Sequence, residues 1–102
     1  MQVKTFTKRD IAKIVAKNLS TSIRKSIIYT DEVFNAVRKL LCEDQDYIRV
    51  EVRNFGVIES KPAKAKPKAR NPRTNEEIFV PAHKKAHFKP GKLLKNHLKK
   101  PI

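Results

Sequence analysis

The sequence predicts an α+β fold in which two helices are followed by several strands and a short final helix. Apolar residues recur at helical spacing up to residue 41, and from residue 48 they alternate with charged residues as in a half-buried strand. Only 39% of the 102 residues are hydrophobic, which is low for a globular domain. A single chain of this composition buries a modest core, and pairing with a second chain would supply the missing burial.

The first helix is predicted from residue 8 to about residue 18. Thr7 precedes it and Asp10 follows three positions later, which is a capping box with Asp in place of Glu. Apolar residues then recur at helical spacing, namely Ile11, Ile14, Val15 and Leu19. These signals together favour a helix with one apolar face.

The second helix is predicted from about residue 23 to residue 41, with Ser22 as its N-cap. Its apolar stripe is so broad that it must be covered on more than one side. A partner chain is the simplest further cover, and the alternative is that the later sheet covers it. The expected dimer-interface residues are Ile27, Phe34, Val37, Leu41 and Phe55.

The next segment predicts a strand over residues 48–52, a turn or bulge at residues 54–56 and a second strand that resumes at Val57. Residues 60–75 are basic and contain no apolar side chain larger than Ala or Pro, so they cannot build a core. They form either a disordered linker or the outer part of a long hairpin. The turn signal Asn71-Pro72-Arg73-Thr74 and the strand propensity of residues 78–80 favour the hairpin.

The end of the chain predicts a break at residues 88–91 and a short helix over residues 92–99. Leu94 and Leu98 are expected to face inward on this helix, and Pro101 stops it.

The charge of the chain points to a polyanionic partner. The net charge is +14, and residues 51–102 carry fourteen Lys or Arg against four acids. Two runs, residues 61–73 and residues 84–100, contain no acid at all. Nucleic acid is the favoured partner of such runs, although membrane surfaces and acidic proteins attract them too. A face kept basic for solubility alone would mix both signs of charge.

Other classes of site receive little support from the sequence. The single cysteine, Cys42, cannot form an internal disulfide, which favours a reducing compartment, and it is expected to be a packed thiol rather than a reactive one. No secretory signal or membrane-spanning apolar run is visible. His83 and His87 are four apart but have no acid or thiol near them in sequence, so neither a metal site nor another cofactor is expected. No nucleophile–base pair stands out, and we expect no enzymatic activity.

Three motifs carry a family resemblance: Asn54-Phe55-Gly56 after a strand, Arg70-Asn71-Pro72-Arg73-Thr74, and Phe88-Lys89-Pro90-Gly91-Lys92. In order and spacing they resemble the bacterial histone-like family that includes HU and integration host factor, over roughly residues 7–98. The sequence departs from the family pattern at Ile58, where a second Phe is usual, and at Ala69 and Asn75, where glycines are usual.

The resemblance implies an intertwined dimer with a helical base, a β-sheet saddle, extended β-ribbon arms and a short C-terminal helix. Residues 1–102 would form one such domain, with a dimerisation body at 7–58, an arm at 59–82, and a return strand and final helix at 83–102. The arms would wrap into the minor groove, and Pro72 at the tip would wedge between base pairs.

The same resemblance implies which side chains contact DNA. Arg70 and Arg73 flank the tip and suit the narrow minor groove of A·T-rich DNA. The tip residues Asn71 and Thr74 are expected to contact DNA as well. The remaining expected contacts are basic side chains that suit phosphates, namely Lys8, Arg53, Lys64, Lys66, Lys68, Lys89, Lys92 and Lys95.

These features predict a nucleoid-associated architectural protein of the cytoplasm that binds duplex DNA with low sequence specificity, bends it and compacts it. Its partners would be duplex DNA and a second copy of itself, or a paralogue in a heterodimer, without a membrane. One rival is a sequence-preferring subunit like that of integration host factor. Another is a basic RNA-binding protein, although neither groove of duplex RNA has a shape that suits a wedging arm.

Overall fold

A computed structural model describes the backbone of residues 1–102 and every side chain except those of residues 66–69. It confirms the α+β class, with helices before and after antiparallel strands. The chain divides into two compact units, Met1–Lys39 and Leu40–Ile102.

The first unit contains α1, Lys8–Leu19, and most of α2, Ile23–Leu41. The cap of α1 is formed as predicted, because the Thr7 backbone N–H donates to Asp10 Oδ2 at 2.8 Å. This bond and a second one from the Thr7 hydroxyl are the main causes that lower the pKa of Asp10. Ser22 caps α2, where its Oγ accepts a hydrogen bond from the Lys25 backbone N–H at 3.1 Å.

The helical unit leaves much of its apolar surface uncovered. Its buried side chains are small or polar, namely Ala12, Ala16, Ser26 and Thr30. Exposed apolar side chains lie along both helices, among them Ile11, Ile14, Leu19, Ile23, Ile28, Val33 and Phe34. The broad stripe predicted for α2 is therefore present and only partly covered.

The second unit contains a three-stranded antiparallel sheet of β1, Ile48–Val52, β2, Gly56–Ala63, and β5, His83–Pro90, in the order β1-β2-β5. The register gives the sheet two different faces, because side chains alternate along each strand. Val50, Ile58 and Phe88 are aligned on one face, whereas Arg49, Glu59 and His87 are aligned on the other. We call the second one the polar face of the sheet.

The connection between β1 and β2 is a tight turn in which Asn54 has a left-handed backbone, with φ of 65°. Gly56 follows it because a Cβ at this position would collide with the Lys89 carbonyl oxygen and the Phe88 ring. The Phe55 and Phe88 rings lie 5.2 Å apart between centroids. The Asn-Phe-Gly motif therefore packs this turn against β5.

Beyond the sheet, β3, Lys66–Arg70, pairs with β4, Glu77–Val80, as a separate two-stranded ribbon, which we call the arm. The hairpin interpretation of the basic segment is confirmed, and the linker alternative is wrong. The ladder shifts register between Lys66 and Ala69. Pro67 lies between these two positions and has no backbone N–H to donate to the ladder.

Three details near the C-terminus and α2 differ from the predictions. Phe88, Lys89 and Pro90 continue β5, and the break begins only at Gly91, because the pairing with β2 extends to Gly56. The final helix, α3, spans Lys92–Leu98, and Leu98 is exposed rather than inward because it is the last residue of this short helix. Cys42 follows the end of α2 and is exposed, so the prediction of a packed thiol is wrong.

Across the part of the chain that the structure describes, no helix combines the length and apolarity needed to cross a membrane.

Candidate nucleic-acid interface

The tip of the arm is an ordered turn. Asn71 Oδ1 accepts a hydrogen bond from the Arg73 backbone N–H at 3.0 Å, and the Asn75 N–H donates to the Asn71 carbonyl at 2.7 Å. Asn75 has a φ of 59°, a left-handed conformation that Asn adopts more readily than most residues. It therefore fills the backbone role of the glycine that is usual at this point, and the tip keeps its geometry without that glycine.

This turn exposes a rigid apolar ring and the cation that follows it in sequence. Pro72 is exposed at the apex, and Arg73 beside it is exposed as well. Arg70 closes the base of the turn, with its Nη1 donating to Asn75 Oδ1 at 3.2 Å and its Nη2 lying 3.9 Å from Glu77 Oε1. Arg70 is thus held along the arm, whereas Pro72 and Arg73 present their side chains to solvent.

The other predicted contacts lie at several places. Lys64 lies between β2 and β3 and is exposed, whereas the side chains of Lys66 and Lys68 fall outside the described residues. Lys8, at the start of α1, pairs with Asp31 of α2 at 2.8 Å. Lys95 is exposed on α3. Arg53 and Lys92 are brought together, because both line one open cleft of about 530 Å³ with Phe55 and Gly91.

Sequence reasoning missed a cluster around Glu59 on the polar face of the sheet. The Glu59 side chain is 0% exposed, and its Oε2 accepts a hydrogen bond from the Tyr47 hydroxyl at 2.5 Å. Its Oε1 lies 3.4 Å from Lys89 Nζ, 3.5 Å from His87 Nδ1 and 3.8 Å from Lys61 Nζ. Lys89 was predicted as a contact, but its acidic neighbour was not, since the strand register alone brings these residues together.

The cluster keeps Glu59 ionised. The hydrogen bond from Tyr47 is the main cause that lowers the pKa of Glu59, and the charges of Lys89 and Lys61 lower it further, although burial acts in the opposite direction. The same hydrogen bond raises the pKa of Tyr47, because it stabilises the protonated hydroxyl that donates to the carboxylate. The polar face of the sheet therefore contains a buried anion among cations.

Comparison with known proteins identifies the family. The profile of the bacterial DNA-binding protein family matches residues 6–99. The chain belongs to this family. The chain is 37% identical over 91 residues to DNA-binding protein HU-1 of Halalkalibacterium halodurans, an alignment that covers 89% of this chain and 97% of the relative.

Other members of the bacterial DNA-binding protein family agree with this assignment. The HU protein of Geobacillus stearothermophilus is 34% identical over 94 residues, covering 92% of this chain and all of the relative. An Anabaena HU–DNA cocrystal structure superposes with a TM-score of 0.80 at 25% identity, covering 94% of this chain and 100% of that chain. The chain is thus a DNA-binding architectural protein of the histone-like type, as the sequence predicted.

Proposed function

We propose that this protein bends duplex DNA as a dimer with little sequence preference, by inserting Pro72 of each arm between base pairs of the minor groove. The observation that carries the proposal is the exposed Pro72 at the apex of an ordered turn, on a ribbon that lies outside the three-stranded sheet. An apolar wedge unstacks one base step, and the bent duplex then contacts more protein.

The chemistry of proline suits this role. Pro72 has no backbone N–H that would lose a hydrogen bond inside a base stack, and its ring fixes the backbone of the turn. Arg73 lies next to it and is exposed, so its guanidinium can enter the negative potential of a narrow minor groove. Neither side chain reads a unique base pattern there, which fits low sequence specificity.

A dimer would explain the uncovered apolar surface of the helices. Ile27, Val37 and Leu41 are half-buried, whereas Phe34 and Phe55 are 39% and 47% exposed. An apolar groove of about 230 Å³ lies beside Phe34, lined by Ile11, Val15, Tyr29, Thr30, Val33 and Phe34. A second copy of the chain is the partner that we propose for this surface, with a paralogue as the alternative.

The remaining basic side chains would hold phosphates. Lys64 lies just before the arm, and Lys66 and Lys68 belong to β3. Arg53 and Lys92 line the cleft beside the first turn of α3. Lys95 lies farther along that helix, and Lys8 lies on α1. Phosphate contacts position the duplex without specifying its sequence. With these contacts we propose a cytoplasmic, nucleoid-associated protein that compacts DNA and has no catalytic role of its own.

The purified protein alone should be tested against duplexes of unrelated sequence, the same duplexes with a nick or a preformed bend, and a duplex RNA of equal length. Comparable affinity for the unrelated sequences, tighter binding to the nicked and bent forms and weak binding to RNA are expected. A requirement for one sequence or for a second protein would instead indicate a subunit like that of integration host factor. Equal binding to RNA would contradict the minor-groove account.

A further inference from the structure

The polar face of the sheet contains an arrangement that neither the family assignment nor charge counting explains. Glu59 occupies the middle strand, directly opposite Arg49 on β1 and His87 on β5. Although this face is basic and lies in a DNA-binding protein, its most buried side chain is an acid. A carboxylate repels phosphate, so its place at the centre of this face needs a reason.

The surrounding cations differ from Glu59 in exposure. The side chains of Lys61, His87 and Lys89 are 35%, 47% and 55% exposed, whereas that of Glu59 is 0% exposed. The cations therefore lie between the carboxylate and solvent. A phosphate that approaches this face meets the cations first, and Glu59 acts on it only through them.

The two oxygens of Glu59 have different roles. Oε2 receives the short hydrogen bond from Tyr47, which fixes the plane of the carboxylate. Oε1 is buried and accepts no well-aligned hydrogen bond from the described residues, but it lies within 4 Å of both lysine ammonium groups. Each ammonium group has three N–H donors, so an ion pair of this looseness leaves donors available for another anion.

We propose that Glu59 is a positioning residue, whose buried carboxylate holds Lys61 and Lys89 together on the polar face of the sheet as a phosphate-binding pair. The inference rests on the proposed function, in which duplex DNA lies against the basic surface of the protein. The proposal assigns a phosphate contact to Lys61, a residue that lies outside the family motifs. Without the carboxylate, the two ammonium groups would repel each other and separate into solvent.

Two other accounts of Glu59 give different expectations. If the acid acts only through its charge, its neutralisation strengthens DNA binding, as the loss of any acid near the interface would. If the cluster serves only the fold, its loss changes stability and leaves DNA affinity unchanged once the protein is folded. The positioning role alone predicts weaker binding from a variant that is more positively charged.

The test compares Glu59→Gln with Glu51→Gln, which removes the same charge from an exposed side chain on β1, 3.5 Å from Arg49. We expect Glu51→Gln to bind a short duplex as tightly as the native protein or about threefold more tightly. We expect Glu59→Gln to bind about three- to tenfold more weakly, with a log–log salt slope shallower by about one per subunit. Affinity is measured by fluorescence anisotropy at several salt concentrations.

A combined variant tests whether the effect passes through the lysines. Adding Glu59→Gln to Lys61→Ala/Lys89→Ala should not weaken binding further, because the pair that Glu59 positions is absent. The proposal would be overturned if Glu59→Gln and Glu51→Gln strengthened DNA binding equally. It would also be overturned if Glu59→Gln weakened binding as much in the variant without Lys61 and Lys89 as in the native protein.

Folding is checked by circular dichroism. If Glu59→Gln does not fold, Tyr47→Phe decides, because it keeps the charge and removes only the bond to Oε2. A folded Tyr47→Phe variant with reduced affinity and a shallower slope supports the proposal, and one with native values overturns it. A native protein that does not bind DNA would refute the proposed function instead, so the two failures are distinguishable.

Discussion

The arm and the three-stranded sheet are both basic, but they hold their cations in different ways. At the arm tip, the backbone turn does the positioning, through short-range hydrogen bonds of Asn71 and Asn75, and Pro72 and Arg73 remain exposed. On the sheet, the buried Glu59 does it, with Lys61 of its own strand and Lys89 of β5 beside it. From this difference we propose that the arm deforms the duplex and that the sheet binds its phosphates.

The largest expected effect comes from loss of the dimer, which impairs the contributions of the arm and of the sheet together. Phe34→Ala would delete an aromatic side chain from the proposed dimer interface, at about 3–5 kcal/mol if a partner chain buries it. Because each subunit supplies one arm, loss of the dimer should abolish bending and weaken binding together. Sedimentation at micromolar concentration should show a dimer for the native chain and a monomer or unfolded chain for the variant. A native monomer would contradict the account.

The next largest effect comes from a variant that changes the arm and leaves the sheet intact. Arg73→Ala should lower the affinity on the order of tenfold, because it removes a cation from the minor groove. The loss should be greater on A·T-rich duplexes, whose narrow minor groove attracts arginine most strongly. Anisotropy titrations with A·T-rich and G·C-rich duplexes of equal length measure it. An equal loss on both duplexes would place Arg73 on phosphates instead.

A smaller effect is expected from the cleft beside α3. Lys92→Ala should weaken binding by a few-fold on every sequence and make the salt slope shallower by about one for each phosphate that the protein no longer neutralises. The bend at saturation should stay native, because the wedge is untouched. Salt-dependent anisotropy and the bend angle together check this. A change of slope with no change of sequence preference is the expected pattern, and an altered preference would refute a pure phosphate contact.

The smallest effect concerns stability at low pH. The folded pKa of Glu59 lies below its ordinary value of 4.5, so its ionised form stabilises the fold above that pH. This contribution is lost as the pH falls through the folded pKa. Between pH 5 and pH 3 the native protein should therefore lose more thermal stability than Glu59→Gln, as followed by circular dichroism. Equal losses would show that the carboxylate contributes no pH-dependent stability.

Local sequence signals predicted the helices and the arm tip because each depends on neighbouring residues. Thr7 and Asp10 lie three positions apart, and the tip turn is contained in four consecutive residues. The continuation of β5 through Pro90 was not predicted, because Pro and Gly usually end an element and only pairing with β2 extends it.

The Glu59 cluster could not be predicted either, because it also depends on pairing between strands that are distant in sequence. Tyr47 and His87 are far from Glu59 in sequence, and the register of both strand pairs is needed to bring them together. The lone acid before the basic run of residues 61–73 was the available signal. The end of α2 at Leu41 was predicted correctly, but the exposure of the next residue, Cys42, depends on tertiary packing, which periodicity does not specify.

The most direct test of the central claim measures the bend itself in Pro72→Ala, by fluorescence transfer between the two ends of a short duplex at saturating protein. Pro81→Ala is the matched control, since it makes the same change in an exposed proline that follows β4, away from the tip. The account predicts a markedly straighter duplex with Pro72→Ala, a smaller loss of affinity than of bending, and a native bend with Pro81→Ala. A native bend with Pro72→Ala would contradict the wedge and leave Pro72 as a turn residue only.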